Sequence, residues 1–144
     1  MVVTRMKIYC DGGARGNPGP AAIGFVAYDE NNQSLASQNS TIGIATNNIA
    51  EYQAVVSALE WLNQSTSLKP QIVEFFIDSQ LVVRQLNGLY KIKNAKLRDL
   101  NFKIRQLEQE LYQRLNLKIV YHYIPRTQNT IADRLVNEAL DNED

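Results

Sequence analysis

The sequence predicts an α/β fold in which helices flank a five-stranded mixed sheet. Segments of strand character open the chain in succession, separated by turn-forming residues, as in an antiparallel meander. After residue 70, strands alternate with amphipathic helices, so the order of elements is βββαβαβα with a short additional helix after the fourth strand. The 144 residues, 44% hydrophobic and 21% charged, are enough for one core. We therefore expect a single domain over residues 1–144.

The first strand runs from Met6 to Asp11 and leads into a glycine-rich loop over residues 12–20. Alternation along the strand places Ile8 and Cys10 on a core-facing side and Asp11 on the other side. Glycines let another molecule approach the backbone closely. A carboxylate at a strand end, beside bare backbone, suits a metal ion or a phosphate ester, although an aspartate in this position often only opens a turn.

Two more strands and a helix follow. Residues 22–28 and 35–44 form the second and third strands, and the polar residues 29–33 form the turn between them. Thr46, Asn47 and Asn48 are helix-capping residue types, and the helix that they begin extends from about residue 49 to residue 63. Glu51 lies one residue away from the apolar stripe of this helix, where a charge is costly unless it is paired or reaches solvent.

The second half of the chain alternates between strands and helices. The apolar residues 72–77 predict a buried strand, which Asp78 and a short helix over residues 81–86 follow. A basic, irregular segment precedes a helix over about residues 95–114, whose apolar side chains form one seam. The last strand covers residues 117–124, and the loop 125–129 leads to a helix over about residues 130–140 with Asp133 in its first turn.

Composition excludes several classes of protein. The formal net charge is zero, with 15 basic and 15 acidic residues, which argues against binding nucleic acid through bulk charge alone. A single cysteine, Cys10, excludes an intramolecular disulfide and zinc sites built from several cysteines. No apolar run approaches the ~20 residues that cross a bilayer, and the first residues lack the pattern of a signal peptide. We expect a cytoplasmic protein that does not bind membranes.

Four carboxylates recur at the boundaries of predicted elements. Asp11 and Asp78 each end a strand, and Glu51 and Asp133 each lie in the first turn of a helix. If the two strands are parallel neighbours, all four carboxylates can meet at one edge of the sheet. Their mutual repulsion would be tolerable only with cations, and hard oxygen ligands favour Mg²⁺ or Mn²⁺ over zinc. Two such ions ~3.5–4 Å apart are a known arrangement for phosphodiester cleavage.

The motifs around these carboxylates resemble type 1 ribonuclease H. They are Asp11-Gly12-Gly13 with 16–20, the segment 46–52, Asp78-Ser79-Gln80, and Asn129 with Ala132-Asp133. The resemblance extends in order from about residue 6 to residue 140. It implies a ribonuclease H-like fold and an endoribonuclease that hydrolyses the RNA strand of RNA–DNA hybrids, leaving 5′-phosphate and 3′-hydroxyl ends.

The resemblance also implies roles for individual residues. Asp11, Glu51, Asp78 and Asp133 match the four catalytic carboxylates, which hold two Mg²⁺ ions, with Mn²⁺ as an alternative. The glycine-loop backbone, including Gly12 and Gly13, resembles the stretch that senses ribose 2′-hydroxyl groups, the feature that distinguishes RNA from DNA. Asn17, Asn47 and Gln80 match residues that contact the minor groove of the hybrid. Thr46 matches a residue at a pocket for a DNA phosphate.

The chain departs from the family pattern before the last carboxylate, where many members carry a histidine. Arg126 occupies roughly that place, in a short Pro-Arg-x-x-Asn loop that resembles a subgroup of the family. A guanidinium binds phosphate well but is a poor general base, so Arg126 is a candidate ligand for the scissile phosphate and otherwise a surface arginine. The only histidine, His122, lies within the last strand, and we expect it to be structural.

Two alternatives remain open. One is a related metal nuclease acting on double-stranded RNA or RNA–DNA junctions. The other is a non-catalytic nucleic-acid-binding module, although a binder gains nothing from clustered negative charge that faces phosphates. No obligate protein partner is evident, and we expect a monomer.

Overall fold

A computed structural model describes residues 3–65 and 67–142 of the chain. Five strands form one sheet in the spatial order β3-β2-β1-β4-β5. The antiparallel pairs are β1–β2 and β2–β3, and the parallel pairs are β1–β4 and β4–β5. The strands are β1 Arg5–Ala14, β2 Gly19–Tyr28, β3 Ser34–Ala45, β4 Ile72–Ile77 and β5 Lys118–Tyr123. The predicted mixed five-stranded sheet is confirmed.

Four α-helices flank this sheet. They are α1 Asn47–Gln64, α2 Gln80–Leu86, α3 Ala95–Leu115 and α4 Thr130–Asp141. A short 3₁₀ helix, Arg126–Gln128, lies in the loop between β5 and α4. In the described part of the chain, no helix is both long enough and apolar enough to cross a membrane.

The main core lies between one face of the sheet and the helices α1 and α3. The predicted alternation in β1 is correct, since Met6, Ile8 and Cys10 are each at most 1% exposed. The predicted seam of α3 also joins this core, through Leu97, Ile104, Leu107 and Leu111. The charged face of α3 is thereby left to solvent.

Helix α4 packs on the opposite face of the sheet. A side chain at Gly24 of β2 would bring its Cβ within 2.8 Å of the Leu135 Cβ and 3.1 Å of the Ala132 carbonyl oxygen. The missing side chain therefore lets α4 lie directly on β2. Because Gly24 pairs with Asp11, this contact places the start of α4 near Asp11.

Strand β1 does not end at Asp11, as the sequence had indicated, but continues to Ala14. Asp11 is the point at which β1 loses its parallel neighbour, since the pairing with β4 ends at Cys10 and Ile77. Pairing with β2 continues through both glycines to the Ala14–Ala21 pair, so β2 begins at Gly19 rather than at residue 22. The expected loop 12–20 is thus reduced to a turn at residues 15–18.

Helix α1 starts two residues earlier than expected. Thr46 is its N-cap residue, and its hydroxyl oxygen accepts a hydrogen bond from the Ile49 backbone N–H at 3.2 Å. Glu51 is consequently the fifth residue of the helix and lies in the second turn, not the first. Asp133 does lie in the first turn of α4, as predicted.

Candidate active site

A cleft of about 390 Å³ opens where β1 and β4 cease to pair. Asp11 and Asp78 follow the last paired residues of the two strands, so both carboxylates lie at this edge of the sheet. Glu51 from α1 and Asp133 from α4 line the same cleft. The structure thus brings the four carboxylates singled out by the sequence to one place.

Close contact between main chains positions Glu51 against β1. A Cβ at Gly12 would lie 2.2 Å from the carbonyl oxygen of Ala50 and 2.6 Å from the backbone nitrogen of Glu51. Only glycine fits at this point. The backbone of α1 therefore rests directly on β1, one residue after Asp11.

Arg126 reaches the cleft from the 3₁₀ helix. Its Nη2 lies 3.5 Å from Asp133 Oδ1, and the arginine side chain is 81% exposed while that of Asp133 is 34% exposed. Such an exposed ion pair contributes little to stability. The guanidinium can therefore turn towards a ligand in the cleft at low cost.

Burial and mutual repulsion raise the pKa values of three of the carboxylates. Burial, followed by the charges of Asp78, Asp133 and Glu51, raises the pKa of Asp11 to about 8. Burial and Asp78 raise the pKa of Glu51 to about 7, against the opposing effects of the Ser79 hydroxyl and Arg126. Burial also raises the pKa of Asp78. The cleft therefore disfavours its own negative charge and favours a cation.

The cleft offers oxygen ligands to a metal ion, but these ligands do not form a complete coordination site. Among residues 3–65 and 67–142, no three His, Cys, Asp or Glu side chains are close enough together to form a ready-made metal site. All four carboxylates nevertheless line the cleft. Glu51 Oε2 is buried without a hydrogen-bond partner, which is costly for a carboxylate unless another group binds it.

Two residues expected to contact substrate are linked at the rim of the cleft. Asn17 Oδ1 accepts a hydrogen bond from the Asn47 backbone N–H at 3.0 Å. Asn47 Oδ1 accepts one from the Ala14 backbone N–H at 2.8 Å. Both side-chain oxygens are thus engaged, which fixes which side of each amide carries the NH₂ donor.

The other predicted residues are divided between the cleft and its surroundings. Gly12, Gly13, Asn47 and Arg126 line the cleft, and Thr46 caps α1 beside it. Gln80 is exposed at the first position of α2 and is not a lining residue. Sequence reasoning did not assign roles to three further lining or adjoining residues, namely Ser79, Asn129 and Asn137.

His122 lies away from the cleft. Its Nε2 is 3.0 Å from Glu74 Oε2, and its ring stacks on that of Phe76 with centroids 5.2 Å apart. These contacts hold it on the face of the sheet within β5. They agree with a structural histidine.

The chain resembles known proteins over nearly its whole length. A family model described as RNase H matches residues 3–141. The chain is 38% identical over 138 residues to the bifunctional protein Rv2228c of Mycobacterium tuberculosis, covering 95% of this chain and 36% of that protein. It is 40% identical over 137 residues to ribonuclease HI of Halobacterium salinarum, covering 95% of this chain and 65% of that protein. The chain thus spans only about a third and two thirds, respectively, of these two relatives.

Solved structures show the same architecture. LC11-RNase H1 in complex with an RNA/DNA hybrid matches with a TM-score of 0.87 at 44% identity, covering 94% of this chain and 96% of that chain. RNase H1 from Halobacterium salinarum matches with a TM-score of 0.85 at 38% identity, covering 96% of this chain and 99% of that chain.

Proposed function

The chain belongs to the RNase H family, and we propose that it is an endoribonuclease that hydrolyses the RNA strand of RNA–DNA hybrids, leaving 5′-phosphate and 3′-hydroxyl ends. The observation that carries the proposal is the set of four carboxylates in one cleft beside the glycine segment of β1. The LC11 relative binds an RNA/DNA hybrid, which supports the choice of substrate. We propose that the described residues act as one domain, as a monomer without an obligate protein partner.

RNases H generally use divalent metal ions. The cleft fits such ions, because its donors are carboxylate oxygens and one of them, Glu51 Oε2, is buried without a partner. We propose that Asp11, Glu51, Asp78 and Asp133 hold two Mg²⁺ ions, with Mn²⁺ as a substitute. When bound, the ions would activate water and stabilise the leaving oxygen.

The residues of the chain itself would bind and orient the hybrid. We propose that the backbone of the glycine segment, Gly12 and Gly13, contacts ribose 2′-hydroxyl groups in the cleft that it lines. Gly13 is half-buried there, whereas Gly12 is buried beneath α1. The free NH₂ groups of Asn17 and Asn47 suit the acceptor atoms of a minor groove. For Thr46 we propose contact with a DNA phosphate, and for the exposed Gln80 contact with the minor groove.

Arg126 distinguishes this cleft from that of family members with a histidine in the preceding loop. We propose that the chain belongs to the subgroup with a short Pro-Arg-x-x-Asn loop and that Arg126 binds the scissile phosphate. The exposure of its side chain and its weak contact with Asp133 leave the guanidinium available. A lysine at this position would keep the charge but lose the two-pronged geometry, so Arg126→Lys should only partly replace it.

The experiment uses short labelled substrates incubated with Mg²⁺, Mn²⁺ or EDTA. The substrates are an RNA–DNA hybrid, duplex RNA, duplex DNA and an RNA–DNA junction. The variants Asp11→Asn and Asp78→Asn remove one carboxylate charge each with little change in shape. Glu30→Gln is the matched control, because Glu30 is an exposed acid in the turn between β2 and β3, remote from the cleft.

We expect metal-dependent cleavage of the RNA strand of the hybrid, loss of cleavage in both cleft variants, and wild-type activity in the control. Cleavage of duplex RNA or of the junction in preference to the hybrid would reassign the substrate. Metal-independent binding of nucleic acid without cleavage would replace the nuclease with a binding module. Wild-type turnover by either cleft variant would refute the metal assignment.

A further inference from the structure

Asn129 lies at the start of α4, but its side chain does not cap the helix. It occupies the N-cap position of the helix, where an asparagine side chain normally accepts a hydrogen bond from a free backbone N–H. Here the side chain makes no capping bond. Its Oδ1 is buried without a hydrogen-bond partner, and the residue is only 1% exposed. The orientation of this amide therefore costs stability, which is typical of a residue selected for function.

The Asn129 amide instead donates one hydrogen bond to the backbone of β1 and one to a carboxylate of the cleft. Nδ2 donates to the Cys10 carbonyl oxygen at 2.8 Å and to Asp78 Oδ2 at 3.1 Å. Cys10 immediately precedes Asp11. One buried NH₂ group thus joins the strand that carries Asp11 to the side chain of Asp78.

The main chain of Asn129 makes a third connection. Its carbonyl oxygen accepts the backbone N–H of Asp133 at 3.1 Å, the bond that begins α4. Three of the four carboxylate-bearing segments are therefore fixed to this one residue. Glu51 is placed separately, through the contact between Gly12 and α1.

We propose that Asn129 is a positioning residue that sets the spacing of Asp11, Asp78 and Asp133 and thereby the affinity of the cleft for divalent metal. The inference rests on the metal site of the proposed function. It does not require Asn129 to touch metal or substrate. Groups that orient metal ligands in this way typically change metal affinity 10–100-fold when they are removed.

The test measures Mn²⁺ binding directly, by the electron paramagnetic resonance signal of free Mn²⁺, without substrate. Asn129→Ala removes the amide. Asn129→Ser removes its reach to Asp78 but supplies a hydroxyl that can cap α4. Asn94→Ala is the matched control, because Asn94 is the N-cap residue of α3 and does make the ordinary capping bond, from the Leu97 N–H at 3.1 Å.

We expect both Asn129 variants to bind Mn²⁺ at least ~10-fold more weakly than the wild type. Their kcat on the hybrid should fall, with little change in KM. In EDTA, Asn129→Ser should melt at a higher temperature than Asn129→Ala because its hydroxyl can cap α4, yet both should bind Mn²⁺ equally weakly, which separates metal affinity from stability. Asn94→Ala should melt earlier but bind Mn²⁺ normally.

Wild-type Mn²⁺ affinity in either folded Asn129 variant would overturn the inference and leave the proposed nuclease intact. An equal loss of affinity in Asn94→Ala would also overturn it, because general destabilisation would then explain the result. A wild-type chain that binds no Mn²⁺ would overturn both this inference and the metal site on which it rests.

Discussion

Neutralising Asp11 should stabilise the metal-free protein. Asp11→Asn keeps the shape of the side chain but removes a charge that the folded state disfavours. Burial and the neighbouring acids Asp78, Asp133 and Glu51 raise the pKa of Asp11 to about 8, and only the backbone N–H of Gly12 opposes them. In the unfolded chain this carboxyl ionises near its ordinary pKa of 3.8. Above pH 3.8, folding must therefore either protonate the Asp11 carboxyl or bury its negative charge beside the other carboxylates.

The size of the effect follows from this difference in pKa. Well below pH 3.8 both states are protonated and Asp11 imposes no penalty. As the pH rises from 4 towards 8, the unfolded state ionises first, so stability is progressively lost. One pKa unit corresponds to about 1.4 kcal/mol, so the penalty at pH 7 is at most about 4 kcal/mol, reduced by solvent at the mouth of the cleft. In a chain of this size, removing the full penalty would raise the melting temperature by up to about 13 °C.

The assay is thermal unfolding in EDTA from pH 4 to pH 9, for the wild type, Asp11→Asn and the control Glu30→Gln. The melting temperature of the variant should exceed that of the wild type by a margin that is smallest at pH 4, grows to about pH 8 and then stays constant. With Mg²⁺ the difference in melting temperature should become smaller or change sign, because a bound ion stabilises only the protein that can hold it. A variant that melts no higher than the wild type at pH 8, or a margin independent of pH, would refute the reasoning.

Four further substitutions test other parts of the structure. Gly12→Ala should destabilise the fold by about 3 kcal/mol or more, because its Cβ would overlap the α1 backbone, whereas Gly13→Ala, with its nearest atoms 3.9 Å away, should fold normally in urea titrations. His122→Ala should change the free energy of unfolding by less than about 1 kcal/mol and leave the rate of hydrolysis near that of the wild type. A fall in that rate by several orders of magnitude would instead indicate a catalytic role for His122. Tyr52→Phe should cost about 1–3 kcal/mol by leaving the Gln85 Oε1, now 2.7 Å from the tyrosine hydroxyl, buried and unpaired, while Mn²⁺ affinity stays unchanged.

Much of the fold could be predicted because its signals are local. Alternation in β1 identified the buried face, and the seam of α3 and the capping threonine of α1 were legible within a few residues. The end of β1 could not be predicted in this way. Glycines ordinarily end a strand, and only the continued pairing with β2 after the loss of β4 extends β1 to Ala14.

In the candidate site, too, local signals could be predicted and long-range contacts could not. Its acids could be predicted because four carboxylates recur at element boundaries that a mixed sheet can bring to one edge, and because their residue type suggests a chemistry. Asn129 belongs to one of the motifs that carry the family resemblance, but its residue type suggests no role in the site, since an asparagine before a helix is an ordinary cap. Its role depends on a bond to Cys10 across 119 residues of sequence, which only the folded structure reveals.

The contact between Gly12 and the backbone of α1 has a consequence for protein engineering. Because main chain rests on main chain there, the separation of Asp11 and Glu51 does not depend on which side chains fill the interior beneath. A designer could exchange buried residues further along α1, such as Leu59 and Leu62, for others of similar volume without altering the chemistry. At the junction itself a single added methyl group would move both acids at once.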